Sequence, residues 1–220
     1  ELSFTNSTLS PSYDPAAPEG TPYTLSVPAE QTIINTKAVA NHKKAVVAGD
    51  GEETILPANT PTEIIVSVTS ESGLVRDYVT TATRAASANN KPTMLTMGSI
   101  PSGLCKNNGE YAEYSCRFND SNNNAVFFDP NVTDYHINVP TVSNKLNFTV
   151  AKGHLFQEIS AEVDGGVCTI DNENPTETGL INCERLPMGD NEIKITITAE
   201  TGAKTTYTLH VFRTPGADVE

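Results

Sequence analysis

The chain has no tryptophan and few basic residues, and these shortages narrow the functions open to it. Its 220 residues include 14 Lys and Arg against 27 Asp and Glu, which gives a formal net charge of -13. Phosphate binding needs clustered basic side chains, so the composition excludes nucleic acid as a partner. No apolar run approaches the roughly 20 residues of a membrane-spanning helix, so we expect no membrane span.

Motifs that carry chemistry are also missing. The sequence has no nucleophile–base arrangement and no glycine-rich phosphate loop, so we expect neither enzymatic activity nor a cofactor. Residues 119–124 and 171–174 are rich in Asn and acidic side chains, but they lack the spacing of a calcium loop, which favours solvated turns. The four histidines are scattered along the chain, at His42, His136, His154 and His210. Their spacing favours surface or strand positions over a catalytic or metal-binding role.

The abundant residues indicate sheets. Hydrophobic residues make up 37% of the chain, and the excess lies in β-branched Thr, Val and Ile and in turn-forming Asn and Ser. A chain of this length suits two domains of ordinary size, each able to bury its own core.

One segment of the sequence occurs twice. The run EIIVSVTSESGLVRDYVTTATR from Glu63 aligns without a gap with EIKITITAETGAKTTYTLHVFR from Glu192. Upstream, YTLSVP from Tyr23 matches YHINVP from Tyr135. A period near half the chain length predicts two tandem copies of one domain. We place the first at residues 1–86, a short polar linker at 87–92 and the second at 93–220, and we expect a semi-rigid rod.

The hydrophobic pattern predicts strands. Residues 64–69 and 193–198 alternate apolar and polar side chains, and each run is followed by a glycine-containing turn, at Gly73 and Gly202, and a second alternating run. This pattern predicts a β-hairpin at the end of each copy. No segment has a sustained helical period, so we predict an all-β fold of two tandem Ig-like antiparallel β-sandwiches. Other strands are predicted over residues 23–27, 32–39, 135–139, 145–151 and 158–163.

All four cysteines lie in the second copy: Cys105, Cys116, Cys168 and Cys183. An even number predicts two disulfides in an oxidising compartment, and the spacings are too wide for the knuckles of a zinc site. Three connectivities are open. The simplest joins Cys105 to Cys116 and Cys168 to Cys183, since each pair closes an insertion, at roughly residues 103–124 and 165–185, that the first copy lacks.

Several motifs resemble those of the cadherin-like β-sandwich domain: Tyr13-Asp14-Pro15, Val27-Pro28 and the closing hairpin that ends at Thr83-Arg84. The second copy matches at Phe128-Asp129-Pro130 and at residues 189–193. The resemblance implies an extracellular or cell-surface protein, in which such modules often occur in tandem. The calcium-binding motifs of true cadherins are absent from the sequence, so we expect no calcium dependence.

Two classes of function remain. The first is a non-enzymatic structural protein, secreted or at the cell surface, that forms a helical or linear fibre with itself as partner; head-to-tail contacts generate such filaments. The segment Leu2-Ser3-Phe4-Thr5 alternates apolar and polar residues, so it could pair with a neighbour's edge or complete its own sandwich. If the segment completes its own sandwich, assembly must depend on the linker or the C-terminal tail.

The second class is an adhesin or a carbohydrate- or protein-binding module that uses loops of the second domain. Its aromatic candidates are Tyr111, Tyr114 and Phe118, which could equally form a small core.

Four Asn-x-Ser/Thr sequons are candidate sites of N-glycosylation: Asn6, Asn119, Asn131 and Asn147. We expect Asn119, in the inserted loop, to be the most accessible. The chain starts at Glu1 without an initiator Met or a signal-like segment, so we expect a processed chain or one trimmed at a domain boundary.

Overall fold

The computed structural model describes residues 1–98, 117–171 and 178–216. Within these residues every regular element is a strand, which confirms the predicted all-β fold. The chain divides into two compact units, Glu1–Ser87 (unit 1) and Ala88–Glu220 (unit 2).

Unit 1 is a sandwich of two sheets with strand orders β1-β4-β6 and β2-β3-β8-β7-β5. Alternate side chains of each strand point between the sheets, and the core includes Leu25, Ile34, Leu56 and Val66. Its strands are β1 Leu2–Phe4, β2 Thr8–Ser10, β3 Tyr23–Val27, β4 Ile33–Ala38, β5 Val46–Ala48, β6 Glu53–Ile55, β7 Thr62–Thr69 and β8 Val75–Arg84.

Unit 2 has the same plan with longer strands. Its sheets have the orders β15-β16-β13-β9 and β11-β10-β12-β18-β17-β14, and Phe148, Ile181, Ile195 and Leu209 lie in the core. Its strands are β9 Met94–Met97, β10 Arg117–Asn119, β11 Ala125–Phe127, β12 Asp134–Val139, β13 Lys145–Ala151, β14 Glu158–Val163, β15 Val167–Asp171, β16 Thr178–Glu184, β17 Gly189–Thr198 and β18 Lys204–Arg213.

The two units correspond strand by strand. Strands β9, β13 and β16 occupy the positions of β1, β4 and β6, and strands β12, β18, β17 and β14 occupy those of β3, β8, β7 and β5. Neighbouring strands are antiparallel except for one pair in each unit, β3 with β8 and β12 with β18. A parallel pair needs a crossover connection, which the strands of the other sheet provide here.

Both predicted closing hairpins are confirmed. Strand β7 pairs with β8 and β17 pairs with β18, each antiparallel. The Ser70 amide donates to the Leu74 carbonyl at 2.8 Å, and the Ala199 amide donates to the Ala203 carbonyl at 2.8 Å. Each turn contains a glycine with positive φ, 83° at Gly73 and 84° at Gly202, because a side chain there would be strained.

The second predicted insertion is wrong in its extent. The segment includes β16, which lies between β13 and β15 and has Ile181 and Cys183 fully buried. Because β16 corresponds to β6 of unit 1, residues 178–184 form a core strand of the sandwich rather than part of a surface loop. Strand β15 is the added element among the described residues of this segment.

An arginine at the end of the last strand of each unit, Arg84 in unit 1 and Arg213 in unit 2, donates hydrogen bonds to main-chain carbonyls of the same unit. Arg84 donates from Nε to the Leu56 carbonyl at 2.6 Å and from one terminal nitrogen to the Ala29 carbonyl at 3.0 Å. Arg213 makes the equivalent bonds to Thr141 and Leu186. Each guanidinium therefore joins the end of the last strand to two loops of the same unit.

Candidate functional site

A groove opens at one end of unit 1, beside the turn between β7 and β8. It encloses about 400 Å³, and residues from both sheets line it. We call it the end groove. Its walls are mainly apolar and include Leu2, Val39, Val47, Val68, Leu74 and Tyr78.

The rim of the end groove exposes large apolar side chains. Leu74 is 74% exposed and Val75 is 57% exposed, and Val39 across the groove is 52% exposed. Isolated apolar residues on a surface are ordinary, but a continuous apolar pocket with an apolar rim marks an interaction site. The end groove is therefore the candidate functional site of unit 1.

Basic residues lie around the end groove, although the chain as a whole is acidic. The guanidinium carbon of Arg76 lies 4.9 Å from the centre of the Tyr78 ring, and Arg76 also donates to the carbonyls of Pro15 and Ala17. Lys43 and Lys44 follow His42 in the β4–β5 connection, and all three are exposed. Glu1 also lines the groove, and Lys44 forms an ion pair with Glu71. The groove thus combines an apolar floor with a rim that carries charges of both signs.

Two tyrosines pack together at the inner wall of the groove. The rings of Tyr13 and Tyr78 lie 5.7 Å apart. Burial, reinforced by a hydrogen bond with Tyr78, raises the pKa of Tyr13 from 10.0 to about 12, so its hydroxyl stays neutral further into the alkaline range.

The equivalent region of unit 2 is filled. Strand registers fix the equivalence: Val47 pairs with Val68 in unit 1, and Ile159 pairs with Ile197 in unit 2. Val47 is thus equivalent to Ile159, and two residues earlier Ala45 is equivalent to Gln157. Ile197 is fully buried and Gln157 is 2% exposed, whereas Val68 and Ala45 are only half-buried.

Residues 89–91, just before β9, cover this region of unit 2. The Gln157 side-chain nitrogen donates to the carbonyls of Asn89 at 2.9 Å and Lys91 at 3.0 Å. The Asn89 side chain donates to the Gly153 carbonyl at 3.1 Å, and a Cβ added at Gly153 would lie 2.2 Å from the Lys91 carbonyl oxygen. A short extended segment is thus fastened over the position where unit 1 has its open groove.

The proposed assembly segment Leu2-Ser3-Phe4-Thr5 lies in its own unit. Strand β1 pairs antiparallel with β4, and Leu2 and Phe4 are each 7% exposed in the core of unit 1. Ser3 is half-buried and Thr5 is exposed. In this structure the segment completes its own sandwich, the second of the two alternatives predicted from the sequence.

Strands β15 and β16 are joined by a disulfide between Cys168 and Cys183, the pairing predicted from the sequence. Cys105, Cys116, Tyr111 and Tyr114 lie outside the described residues, as do residues 172–174. Phe118 is 1% exposed and its ring centre lies 4.9 Å from that of Tyr135, so it belongs to the core of unit 2.

The structure reverses the expected ranking of the four sequons. Asn6, Asn131 and Asn147 are exposed, whereas Asn119 is half-buried in β10. The Asn119 side chain also donates to Asn123 at 3.1 Å. Asn119 is therefore the least accessible of the four, because the supposed loop forms a strand here.

Sequence reasoning missed one histidine pair. Parallel pairing of β12 and β18 places His136 opposite His210, with ring centres 4.8 Å apart, and His210 Nε2 lies 3.5 Å from an Asp134 carboxylate oxygen. Elsewhere, buried His154 lies 3.9 Å from Glu200. In the described part of the chain, no group of three or more His, Cys, Asp or Glu side chains could hold a metal ion.

Comparison with known families gives one match, in unit 2. Residues 112–214 match the family model of the cadherin-like beta sandwich domain. The match agrees with the resemblance inferred from the motifs of the second copy. No curated protein matches the chain, and the described residues form no helix long and apolar enough to cross a membrane.

Several solved structures have low similarity to the chain. Domains 4 and 5 of the S-layer protein SbsC are 10% identical, with 81% of this chain and 82% of that chain covered and a TM-score of 0.31. The fibronectin(III)-like modules of Clostridium thermocellum CbhA are 12% identical, with coverages of 100% and 97% and a TM-score of 0.29. Protocadherin gammaB7 EC3-6 is 14% identical, with coverages of 87% and 46% and a TM-score of 0.28. Scores this low support no inference about function.

Proposed function

We propose that the chain is a non-enzymatic structural module, secreted or at the cell surface, whose copies join head to tail into a fibre. The observation that supports this most directly is the open end groove of unit 1. The groove exposes the apolar side chains of Leu74 and Val75. Covering these side chains would remove apolar surface from water, which favours association.

The two ends of unit 1 differ from each other, which supports a head-to-tail contact. Within unit 1, the β7–β8 turn and the end groove lie at the start of β8, and Arg84 lies at its other end. A contact between the groove end of one copy and a different surface of the next is heterologous, and such contacts generate an open filament when the rotation between copies does not close a ring.

Two further observations fit the proposed location. The Cys168–Cys183 disulfide is stable in an oxidising compartment, and cadherin-like domains are typical of extracellular proteins. Because β1 already completes its own sandwich, the proposal assigns assembly to another part of the chain.

Sedimentation velocity and negative-stain electron microscopy of the purified chain over a range of concentrations test the proposal. We expect association that increases with concentration, and rods or fibres at the upper end. A chain that stays monomeric at the highest concentration reached would contradict the proposed function.

A second candidate is an adhesin or ligand-binding module. The cavity of about 400 Å³ falls within the range of small-molecule pockets, about 300–1,000 Å³. Because Phe118 is buried, we assign a ligand to the end groove rather than to aromatic residues of the second domain. A thermal-shift screen against mono- and oligosaccharides tests this candidate. A rise in Tm that the groove variant Leu74→Asp abolishes would favour it over the fibre.

A further inference from the structure

We propose that the outer face of the six-stranded sheet of unit 2 binds a divalent transition-metal ion through His136 and His210. The site is separate from the end groove of unit 1, and it does not depend on the proposed fibre. Strand register, the exposure of the two rings and the charges around them support it.

Strand register places the two imidazoles next to each other. His136 in β12 lies directly opposite His210 in β18. Tyr135 and Leu209, the residues just before them, are buried, so both histidines point away from the core, because side chains alternate along a strand. The ring centres are 4.8 Å apart and the ring planes are 23° from parallel. The backbone of two paired strands, rather than a loop, therefore holds the two donor groups side by side.

Both rings can reach a shared ion. The His210 side chain is 41% exposed and His136 is half-buried, so the core encloses neither ring. An imidazole nitrogen binds Zn²⁺ at about 2.0–2.1 Å, so two nitrogens that share one ion lie about 3 Å apart. Rotation about the side-chain torsions brings the two rings to that separation without a change in the strands.

The charges around the pair favour a cation. An Asp134 carboxylate oxygen lies 3.5 Å from His210 Nε2. Glu192 lies opposite His210 on β17, and Lys194 offsets its charge at a distance of 2.8 Å. Asp134 therefore leaves a negative charge beside the imidazoles, which attracts a metal ion.

The donor atoms select the class of ion. Imidazole nitrogen suits Cu²⁺, Ni²⁺ and Zn²⁺, whereas Ca²⁺ and Mg²⁺ prefer oxygen. Affinity for a given site rises from Ni²⁺ to Cu²⁺ and falls again at Zn²⁺. The protein supplies two imidazoles and water completes the coordination, which agrees with the lack of any group of three or more ligating side chains in the described part of the chain. We expect Cu²⁺ to bind most tightly.

Unit 1 shows which substitution the strands tolerate. The aligned repeats place Thr24 and Thr81 where unit 2 has His136 and His210, and these threonines also lie directly opposite each other in a parallel pair. Threonine suits a strand, and the first copy already carries it at both positions. His136→Thr and His210→Thr therefore remove the ligands while keeping the sheet.

Calorimetric titration of the chain, prepared without an affinity tag, with Cu²⁺ is the first test. We expect one ion per chain, and binding weaker by about tenfold or more in each single variant, His136→Thr and His210→Thr. His42→Thr is the matched control, because His42 is exposed in unit 1 and lies outside the pair, and its affinity should equal that of the unchanged chain. Ca²⁺ should give no heat of binding.

The double variant distinguishes one shared ion from two independent ligands. If the imidazoles hold one ion together, the effects of the two substitutions are not additive. Independent ligands would instead give two ions per chain, and each single variant would lose one of them with no change in affinity for the other. That result would overturn the proposed site.

NMR of the unchanged chain tests the site even if a variant unfolds. Cu²⁺ is paramagnetic, so an amount below one equivalent should broaden the ring signals of His136 and His210 together, and before those of His42. Absence of Cu²⁺ binding, unchanged affinity in both single variants, or broadening of one ring alone would overturn the proposal. The two rings would then form only a cross-strand contact.

Discussion

Replacing Arg84 by Met should destabilise unit 1 strongly, and the structure gives the size of the effect. Arg84 is 3% exposed, and its guanidinium donates to the carbonyls of Leu56, Ala29 and Ala85. The Met side chain keeps much of the apolar stem but donates no hydrogen bond. Since Leu56 is buried, its carbonyl would lose a charged donor without gaining water. We expect the free energy of unfolding of unit 1 to fall by about 3 kcal/mol, the upper end of the cost of leaving a buried carbonyl without its charged donor.

Arg213→Met is the matched comparison in unit 2. Arg213 makes the equivalent bonds but is only half-buried, so water can replace part of what is lost. We expect a cost of about 1–3 kcal/mol. Lys145→Met is the control for loss of a surface cation, because the Lys145–Glu184 ion pair is exposed and contributes at most about 1 kcal/mol.

Urea unfolding followed by circular dichroism measures all three variants, and tyrosine fluorescence provides a second probe because the chain has no Trp. Arg84→Lys refines the test, since one ammonium group cannot reproduce the forked contact with separate loops. Equal costs for Arg84→Met and Arg213→Met, or a cost below about 1 kcal/mol for Arg84→Met, would refute the assigned role of the buried guanidinium.

Three other predictions concern stability. The Tyr135 hydroxyl exchanges hydrogen bonds with the main chain of Asp129, whereas no partner of the buried Tyr23 hydroxyl is present among the described residues. Tyr135→Phe should therefore lower the free energy of unfolding, measured in urea, by about 1–2 kcal/mol. Tyr23→Phe should leave it almost unchanged, and equal decreases for the two variants would contradict this. Reducing Cys168–Cys183, which are 15 residues apart, should cost about 3 kcal/mol, and an unchanged midpoint would count against it. Burial raises the pKa of Tyr207 from 10.0 to about 12, so its contribution is complete below pH 10.0 and is lost as pH rises toward 12. Tyr207→Phe should flatten this alkaline loss, and an identical pH profile would exclude it.

The sequence predicted those strands whose pattern is regular or repeated. Strands β13 and β14 were predicted with their observed bounds, and both closing hairpins followed from alternation and a turn glycine. Strand β16 also alternates, but it was assigned to an insertion because the first copy has no similar sequence there. Its counterpart β6 is only three residues long, too short for a periodic signal.

The end groove was not predicted, because no motif marks it. It depends on small side chains at Ala45 and Val68. Aligning the two copies residue by residue would have shown Ala45 opposite Gln157, but the contact of Gln157 with residues 89–91 is visible only in three dimensions. The His136–His210 pair also depends on parallel pairing, which the hydrophobic pattern does not report.

The parallel pair in each unit determines how the protein responds to mechanical load. The last strand of unit 1, β8, leads toward the next unit and lies in parallel beside β3 over five residue pairs; β18 lies beside β12 over six. Pulling on the last strand along its axis slides it past its parallel neighbour, so the hydrogen bonds between them are strained together instead of opening one after another. A tandem array of such units would resist stretching, with the second unit the stronger, and pulling single chains with an atomic force microscope would show two unfolding events of different force.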